Sequence, residues 1–329
     1  MLFIMTLMIG SLISISSSSW MGMWIGLEIN LLSIIPLMNN INNSYSTESS
    51  LKYFITQTIA STILLMGMII LSNNLFMENL NLYFILIINS SLLMKMGAAP
   101  FHFWLPEILE GMTWINCFII MTWQKIAPMI MLMYNLYPMK FLIYIILISM
   151  IISSILNMNQ ISLRKIMAYS SINHIAWMIS SMLFFSSIWL IYFLIYTITS
   201  SILILMFNKF NIFLLNQLNL YLSNYNTLKM IFMMNFFSLG GLPPFIGFLP
   251  KWLTIQILIE NNLFFFTFLL MNLSLINLYV YLRITWTSLL LNSFKVNFLN
   301  MKKNFFNIWF LTLMSLISLI ICTIMFNFN

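Results

Sequence analysis

Runs of about twenty apolar residues follow one another along this chain almost without pause, and charged residues fill only 6% of its 329 positions. A chain that is 62% hydrophobic cannot clothe a soluble domain of this size. Inside a bilayer every backbone N–H and C=O must find a partner within the protein, so the spanning structures are helices or closed barrels. The runs here are continuous rather than alternating, which argues against a barrel and predicts an all-α polytopic membrane protein.

Hydropathy and loop signals predict about eleven spans, at about 2–18, 21–38, 51–72, 81–106, 113–136, 140–157, 163–183, 186–208, 228–260, 262–290 and 306–327. Polar stretches such as Asn39–Ser50, Ser72–Asn81 and Asn292–Asn304 separate some of them, whereas only Ser16–Ser19 divides the first two. The opening run reads as a first span from Leu2 to about Ser18, not as a signal or transit peptide. Alternating the loops gathers Arg164, Lys165, Lys209, Lys229, Lys295, Lys302 and Lys303 on one side and leaves little beyond Glu78, Lys140 and Glu260 on the other. The positive-inside rule then puts the N-terminus inside and the C-terminus outside. Basic residues so dispersed are orientation signals and give no footprint for nucleic acid.

Two spans are long enough to be broken, and both carry the same eleven-residue pattern, G-x-x-P-F-x-x-[W/F]-L-P-[E/K]. It runs from Gly97 through Pro100 to Glu107, and again 144 positions later from Gly241 through Pro244 to Lys251, with Gly240 just ahead. A proline removes a backbone donor and clashes with the preceding turn, so each copy is expected to break its helix within the bilayer. Backbone freed at that depth survives only where protein or a water-filled cavity satisfies it. Paired broken helices in two halves are a pointer to an ion path. Four spans lie between the two breaks, so one enters from the opposite side and the repeat is inverted.

Glu28, Lys95 and Lys125 sit well within predicted spans, and Lys251 lies just past the second break. Each charge would cost about 2.5–3.5 kcal/mol at a helix centre facing lipid, so they are expected to face the bundle interior, water or one another. Lysine suits a proton relay, because burial lowers the proton affinity of an amine and a nearby carboxylate raises it again. Glu28 and Lys95 could form such a pair; a static ion pair joining two helices is the plainer reading. His174, in Ser170-Ser171-Ile172-Asn173-His174, would share a core with the lysines. His102 reads as a structural contact, Arg283 as a snorkelling side chain, and Glu107 and Glu110 as solvated helix ends.

The two cysteines, Cys117 and Cys322, show no paired spacing, and there is no nucleotide-binding glycine loop or cysteine cluster. The polypeptide is therefore expected to hold no metal or cofactor and to carry no redox chemistry of its own.

Taken together, Lys95-Met-Gly-Ala-Ala-Pro-Phe-His-Phe-Trp-Leu-Pro-Glu107, Thr122-Trp-Gln-Lys125-Ile-Ala-Pro128, Ser170-Ser-Ile-Asn-His174-Ile-Ala-Trp177 and Gly240-Gly-Leu-Pro-Pro-Phe-Ile-Gly-Phe-Leu-Pro-Lys251-Trp252 closely resemble the subunit 2 family of animal mitochondrial NADH dehydrogenases. Gly26-Leu-Glu28-Ile-Asn-Leu-Leu-Ser-Ile-Ile-Pro36 resembles an early helix of the same family, and the likeness runs in order over about residues 20–290. The resemblance implies an antiporter-like membrane subunit of respiratory complex I, in the mitochondrial inner membrane, with the matrix as the inside and the C-terminus toward the intermembrane space. It implies one transmembrane domain, 1–329, built of two inverted five-helix repeats at about 2–136 and 140–290 plus a C-terminal helix at about 306–327. Each repeat would have one discontinuous helix. The family's ionisable residues carry over to Glu28, Lys95, Lys125 and Lys251, with His174 at a histidine position of the family motif. Other antiporter-like chains, small membrane subunits and lipids would be its neighbours. NADH, FMN, iron–sulfur clusters and ubiquinone would belong to other subunits of the complex.

Three functions are consistent with these residues. The first is proton translocation coupled to NADH oxidation by ubiquinone, through a relay of Glu28, Lys95, Lys125, His174 and Lys251 opened to water by Gly97, Pro100, Gly240, Gly241 and Pro244. The second is a stand-alone cation/proton antiporter, and the third a scaffold whose charges only join helices.

Overall fold

In the computed structural model the apolar runs are helices, and no strand occurs among the described residues, which are 2–39, 43–72, 78–223 and 226–290. The span expected at 306–327, with Lys295, Lys302, Lys303 and Cys322, lies outside them. The helices are α1 (Leu2–Ser16), α2 (Trp20–Met38), α3 (Ser44–Ser72), α4 (Glu78–Met96), α5 (Trp104–Gly111), α6 (Trp114–Met121), α7 (Trp123–Tyr134), α8 (Met139–Asn157), α9 (Leu163–Met182), α10 (Ser186–Phe210), α11 (Leu215–Ser223), α12 (Asn226–Gly240), α13 (Phe248–Glu260) and α14 (Phe264–Leu290). Six segments among the described residues are long and apolar enough to cross a membrane: Trp20–Met38, Ser44–Ser72, Trp114–Tyr134, Met139–Asn157, Ser186–Phe210 and Phe264–Ser288.

Chemistry is distributed as a bilayer demands. Long apolar side chains such as Leu12, Leu51, Phe265 and Phe268 point outward, while Asn30, Gln57, Asn89, Asn157, Asn173 and Asn235 are buried. Serines within the spans donate to the carbonyl three residues back, as Ser14 does to Ser11 at 2.7 Å and Ser149 to Ile146 at 2.8 Å. That local bond lets a hydroxyl sit in an apolar helix without an orphaned proton.

The chain folds as two compact units, Met1–Ser149 and Met150–Asn329, divided within α8. In the first unit α1 lies along α2, α2 along α3, and α3 against α4 and α5, with α7 closing on α4. Ser19 separates α1 from α2 by accepting from the Gly22 N–H at 3.3 Å, the capping bond that a serine supplies at a helix start. The two helices then approach through small residues. A Cβ on Gly26 would lie 2.6 Å from the Ser14 nitrogen and 2.8 Å from the Gly10 carbonyl oxygen. This is the close small-residue packing that joins helices where lipid removes the hydrophobic drive.

The span expected as one helix over 113–136 is instead two, α6 and α7, parted at Thr122. The Thr122 hydroxyl donates to the Phe118 carbonyl at 2.7 Å, and Pro128 six residues on has no N–H to continue the ladder regularly. Lys125 therefore stands in the first turn after a kink.

In the second unit α9 is the enclosed element: every residue from Ile166 to Leu183 is buried, against α10 and α13 among others. Helix α12 packs on α10 and α14, and α13 on α10, α9 and α14. The turns before α9 and α11 pair, with the Leu163 N–H donating to the Phe213 carbonyl at 2.9 Å and the Leu215 N–H to Ile161 at 3.2 Å. Arg283 does not simply reach for water. Its guanidinium donates to the Met158 carbonyl, just past the end of α8, at 2.6 Å.

Replacing Gly26 by valine is expected to separate α1 from α2 at a cost of about 1–3 kcal/mol. The melting temperature of the detergent-solubilised protein measures it, and an unchanged value would show that the helices part without consequence.

Candidate functional site

Both copies of the repeated pattern end their helix in the same way, although the Ala99–Pro100 peptide is cis and Pro243–Pro244 is trans. Gly97 has φ +75° and Gly241 φ +76°, the left-handed conformation that ends a helix and that glycine adopts without steric cost. The Ala98 N–H donates to the Leu93 carbonyl at 3.0 Å, and the Leu242 N–H to Phe237 at 3.2 Å. Phe101 to Ala98 at 2.9 Å and Phe245 to Leu242 at 3.0 Å are the next equivalent pair. The second half-helices then start at Trp104 and Phe248. Each break therefore occurs at the glycine, three residues ahead of Pro100 or Pro244, and the prolines, both exposed, follow it.

A helix end inside the membrane leaves carbonyls without intrahelical partners, and side chains meet them here. In the first unit the Trp104 indole donates to Met94 O at 3.0 Å and Gln57 to Lys95 O at 3.5 Å. In the second unit the Lys251 ammonium donates to Gly240 O at 2.8 Å. The same repeat position holds Glu107 in the first unit, where it pairs with Lys52 at 3.0 Å on an exposed surface.

The first unit holds three of the predicted ionisable groups. Lys95, in the last turn of α4, is 6% exposed and Lys125 in α7 1% exposed. Glu28 on α2 is partly buried with its Oε1 enclosed, and it attracts Lys95 electrostatically without a contact ion pair. The expected partnership is thus a field, not a bond. Beside Lys95 lies a cavity of about 10 Å³, the room of one water, lined by Lys95, Asn30, Tyr53, Gln57 and Gln124 with Leu27, Leu31 and Pro128; neither Glu28 nor Lys125 reaches it. Asn30 Oδ1 and Gln124 Nε2 are enclosed with no hydrogen-bond partner in the protein, and Tyr53 donates to Gln124 Oε1 at 3.4 Å. None of these four polar residues was singled out from the sequence, although an amide within a span is itself the signal.

His174 and Lys251 belong to the second unit. His174 lies midway along α9 and shares a hydrogen bond of 3.0 Å between its Nδ1 and the Tyr192 hydroxyl; the Tyr196 ring lies 4.9 Å from its own. Lys251, 7% exposed, lies in the first turn of α13, where the carbonyl end of α12 attracts its charge. Lys229, read from sequence as a loop charge, is instead inside α12 and buried. His102, 1% exposed, contacts the Pro100 carbonyl at 3.2 Å, a local contact within the break. No cluster of three or more histidine, cysteine or acidic side chains suited to a metal occurs among the described residues.

A family described as NADH:quinone oxidoreductase/Mrp antiporter, transmembrane, matches residues 17–277. NADH-ubiquinone oxidoreductase chain 2 of Anopheles gambiae is 50% identical over 311 residues, covering 93% of this chain and 90% of that one. The chain belongs to that family. The chain 2 protein of Ovis aries is 37% identical over 317 residues, 92% of this chain and 89% of that one. Among solved structures, a chain of respiratory complex I from Thermus thermophilus superposes with TM-score 0.86 at 20% identity, covering 97% of this chain and 77% of that one. A chain of the Mrp complex from Dietzia sp. gives TM-score 0.77 at 16% identity, with 87% and 59% covered. Both share the fold.

In this chain 2 family member one further glycine has a fixed role. A Cβ on Gly247 would collide with the Ser238 carbonyl oxygen, so the second break closes only because that position has no side chain. At Gly240 the nearest atom to an added Cβ is Tyr281 Cδ2 at 3.3 Å, which is tight but can yield. Gly247→Ala is expected to destabilise the protein by at least about 1–3 kcal/mol and Gly240→Ala by clearly less. Melting temperatures of the two variants in detergent test the order, and a reversed order would refute the account.

Proposed function

We propose that this chain is a proton-translocating subunit of the membrane arm of mitochondrial NADH:ubiquinone oxidoreductase, and that it has no redox centre of its own. NADH, FMN, the iron–sulfur clusters and ubiquinone would be bound by other subunits. The observation that carries the reading is the placing of buried lysines beside two helix breaks of the same construction: Lys95 next to the first and Lys251 seated on the second. The curated relatives named above are chain 2 of this oxidoreductase in animals, which supports the inner mitochondrial membrane as its site and the other membrane subunits, antiporter-like and small, as its neighbours, with lipid around them. The N-terminus would lie in the matrix and the C-terminus in the intermembrane space.

The chemistry follows from what a buried amine can do. Lys95 stands among amide and phenol groups beside a cavity of water size, where one water would give its amine a partner for proton exchange. Glu28 biases that exchange, since moving its carboxylate changes the energy of a charge at Lys95. Lys125 follows Gln124 on the same helix and offers the next amine of the unit. In the second unit His174 and Lys251 are the titratable counterparts, with Gly241 φ +76° keeping the half-helices apart.

A stand-alone cation/proton antiporter accounts for the breaks and lysines equally well, but the 50% identity to chain 2 proteins against 16% to the Mrp chain favours the oxidoreductase. A scaffold would seal its polar groups, whereas Asn30 Oδ1 and Gln124 Nε2 have no protein partner around the cavity.

In assembled enzyme, Lys95→Met or Lys251→Met is expected to lower the number of protons moved per electron, while assembly changes little. Protons moved per electron in reconstituted vesicles measure it. Unchanged stoichiometry in fully assembled enzyme would refute the relay, and pumping left intact by joint replacement of Glu28 and Lys95 with apolar residues would restore the scaffold.

A further inference from the structure

Charge divides unevenly between the two units. Of the six acidic residues of the chain only Glu260 belongs to the second unit, which holds nine of the thirteen lysines and arginines. Glu260 precedes the start of α14, whereas Arg283 lies about 28 Å further along that helix, at about 1.5 Å per residue. No acidic side chain of its own unit is therefore within reach of Arg283. Its guanidinium donates instead to Met158 O at 2.6 Å, and a second bond, from Asn157 Nδ2 to Asn277 Oδ1 at 3.3 Å, ties the end of α8 to α14 again. A guanidinium carries five N–H donors in a rigid fork, so one carbonyl orients it without neutralising it.

Beside that bond lies a cavity of about 470 Å³, a volume usual for small-molecule sites. Met158, Ile161, Leu215 and Ile284 give it apolar walls, and Arg283 is the one charged residue among the described residues that line it. Its walls come from just past the span Met139–Asn157 and from the last turns of the span Phe264–Ser288, so the cavity stands where two spans end. Ile161 and Trp286 are 64% and 56% exposed there, and an outward indole at a span end suits the boundary between hydrocarbon and water. Arg164 and Lys165 open α9 and Lys209 closes α10. The backbone bonds from Leu163 to Phe213 and from Leu215 to Ile161 hold those ends together, so this end of the unit is cationic throughout.

We propose that the cavity at Arg283 binds the phosphate of an anionic phospholipid, whose acyl chains lie on the apolar surface of Ile161 and Trp286. The inference goes beyond proton translocation and does not depend on it. Guanidinium and phosphate fit as a pair of parallel, charge-assisted hydrogen bonds, and basic pockets between spans select such headgroups. A zwitterionic headgroup would bring its cation to an end of the unit that has no carboxylate to receive it, so the site favours net negative charge. The apolar walls favour an amphiphile over free phosphate, because only the amphiphile removes them from water.

Cryo-electron microscopy of the intact complex that contains this chain tests the site, in nanodiscs of dioleoyl phosphatidylcholine alone or mixed with dioleoyl phosphatidylglycerol. A third sample, in detergent, contains inorganic phosphate and no added lipid. Headgroup and tail density at Arg283 is expected with phosphatidylglycerol and in neither of the other two samples. Arg283→Gln is expected to raise the phosphatidylglycerol fraction that half-fills the site about fivefold, the share of one basic side chain in such binding. Density with phosphate and none with phosphatidylglycerol would make this a free-anion site, and equal density with both lipids would remove the charge preference. A neighbouring subunit's chain in the cavity would make it a protein interface. Each of these outcomes overturns the proposal, as do an empty cavity in all samples and unaltered occupancy in Arg283→Gln. Should Arg283→Gln fail to assemble, Ile161→Glu keeps the Arg283–Met158 bond and sets a carboxylate at the exposed mouth. Phosphatidylglycerol bound there as in the unaltered protein overturns the proposal equally.

Discussion

The turn at Gly97 and Gly241 is the constraint on which the site depends. A left-handed residue ends the helix, an N–H five residues along closes the end, and the seven residues to the next half-helix remain irregular. In water such an end would be hydrated. In hydrocarbon every carbonyl it exposes costs free energy until some donor reaches it. The break therefore requires polar side chains in its neighbourhood, and those side chains in turn require burial away from lipid. Trp104 and Gln57 answer the first break and Lys251 the second. A lysine at that depth has a structural reason to be there before it has a catalytic one.

The two units answer the same problem with different chemistry. At the first break the charge stands ahead of the glycine, on Lys95, and amides surround it. At the second the charge comes after, on Lys251, at the position where the first unit has an exposed Glu107 paired with Lys52. Amides around Lys95 leave two unpartnered polar atoms beside a space for water, whereas His174 in the second unit hydrogen-bonds to the phenol of Tyr192. The two breaks share the left-handed glycine and the bond that closes the helix end, and differ in the charges around them.

What the sequence made legible follows the strength of each physical signal. The apolar runs and the duplicated glycine–proline pattern located the helices and both interruptions, because burial in lipid and a missing N–H act locally. The ionisable residues were readable for the same reason, since a charge within a span must face inward. The precise point of each break was not, because proline draws the eye although glycine, three residues earlier, ends the helix. The kink at Thr122 also escaped notice: a threonine that bonds back to Phe118 looks like any other residue of a span. The buried tyrosines Tyr53, Tyr192, Tyr196 and Tyr281 were not singled out, because composition groups tyrosine with the apolar residues.

Gly247 shows why pattern alone could not assign the roles of the small residues. Its backbone is helical, with φ −63°, so nothing in its conformation asks for glycine. The requirement comes from Ser238, nine residues back across the break, whose carbonyl oxygen occupies the volume of a Cβ. The first unit has Phe103 at that repeat position, 71% exposed, so there a full side chain is accommodated. At the second break the lysine is held at 2.8 Å to the carbonyl of the neighbouring half-helix. A group fixed in this way can exchange a proton only with what is brought to it.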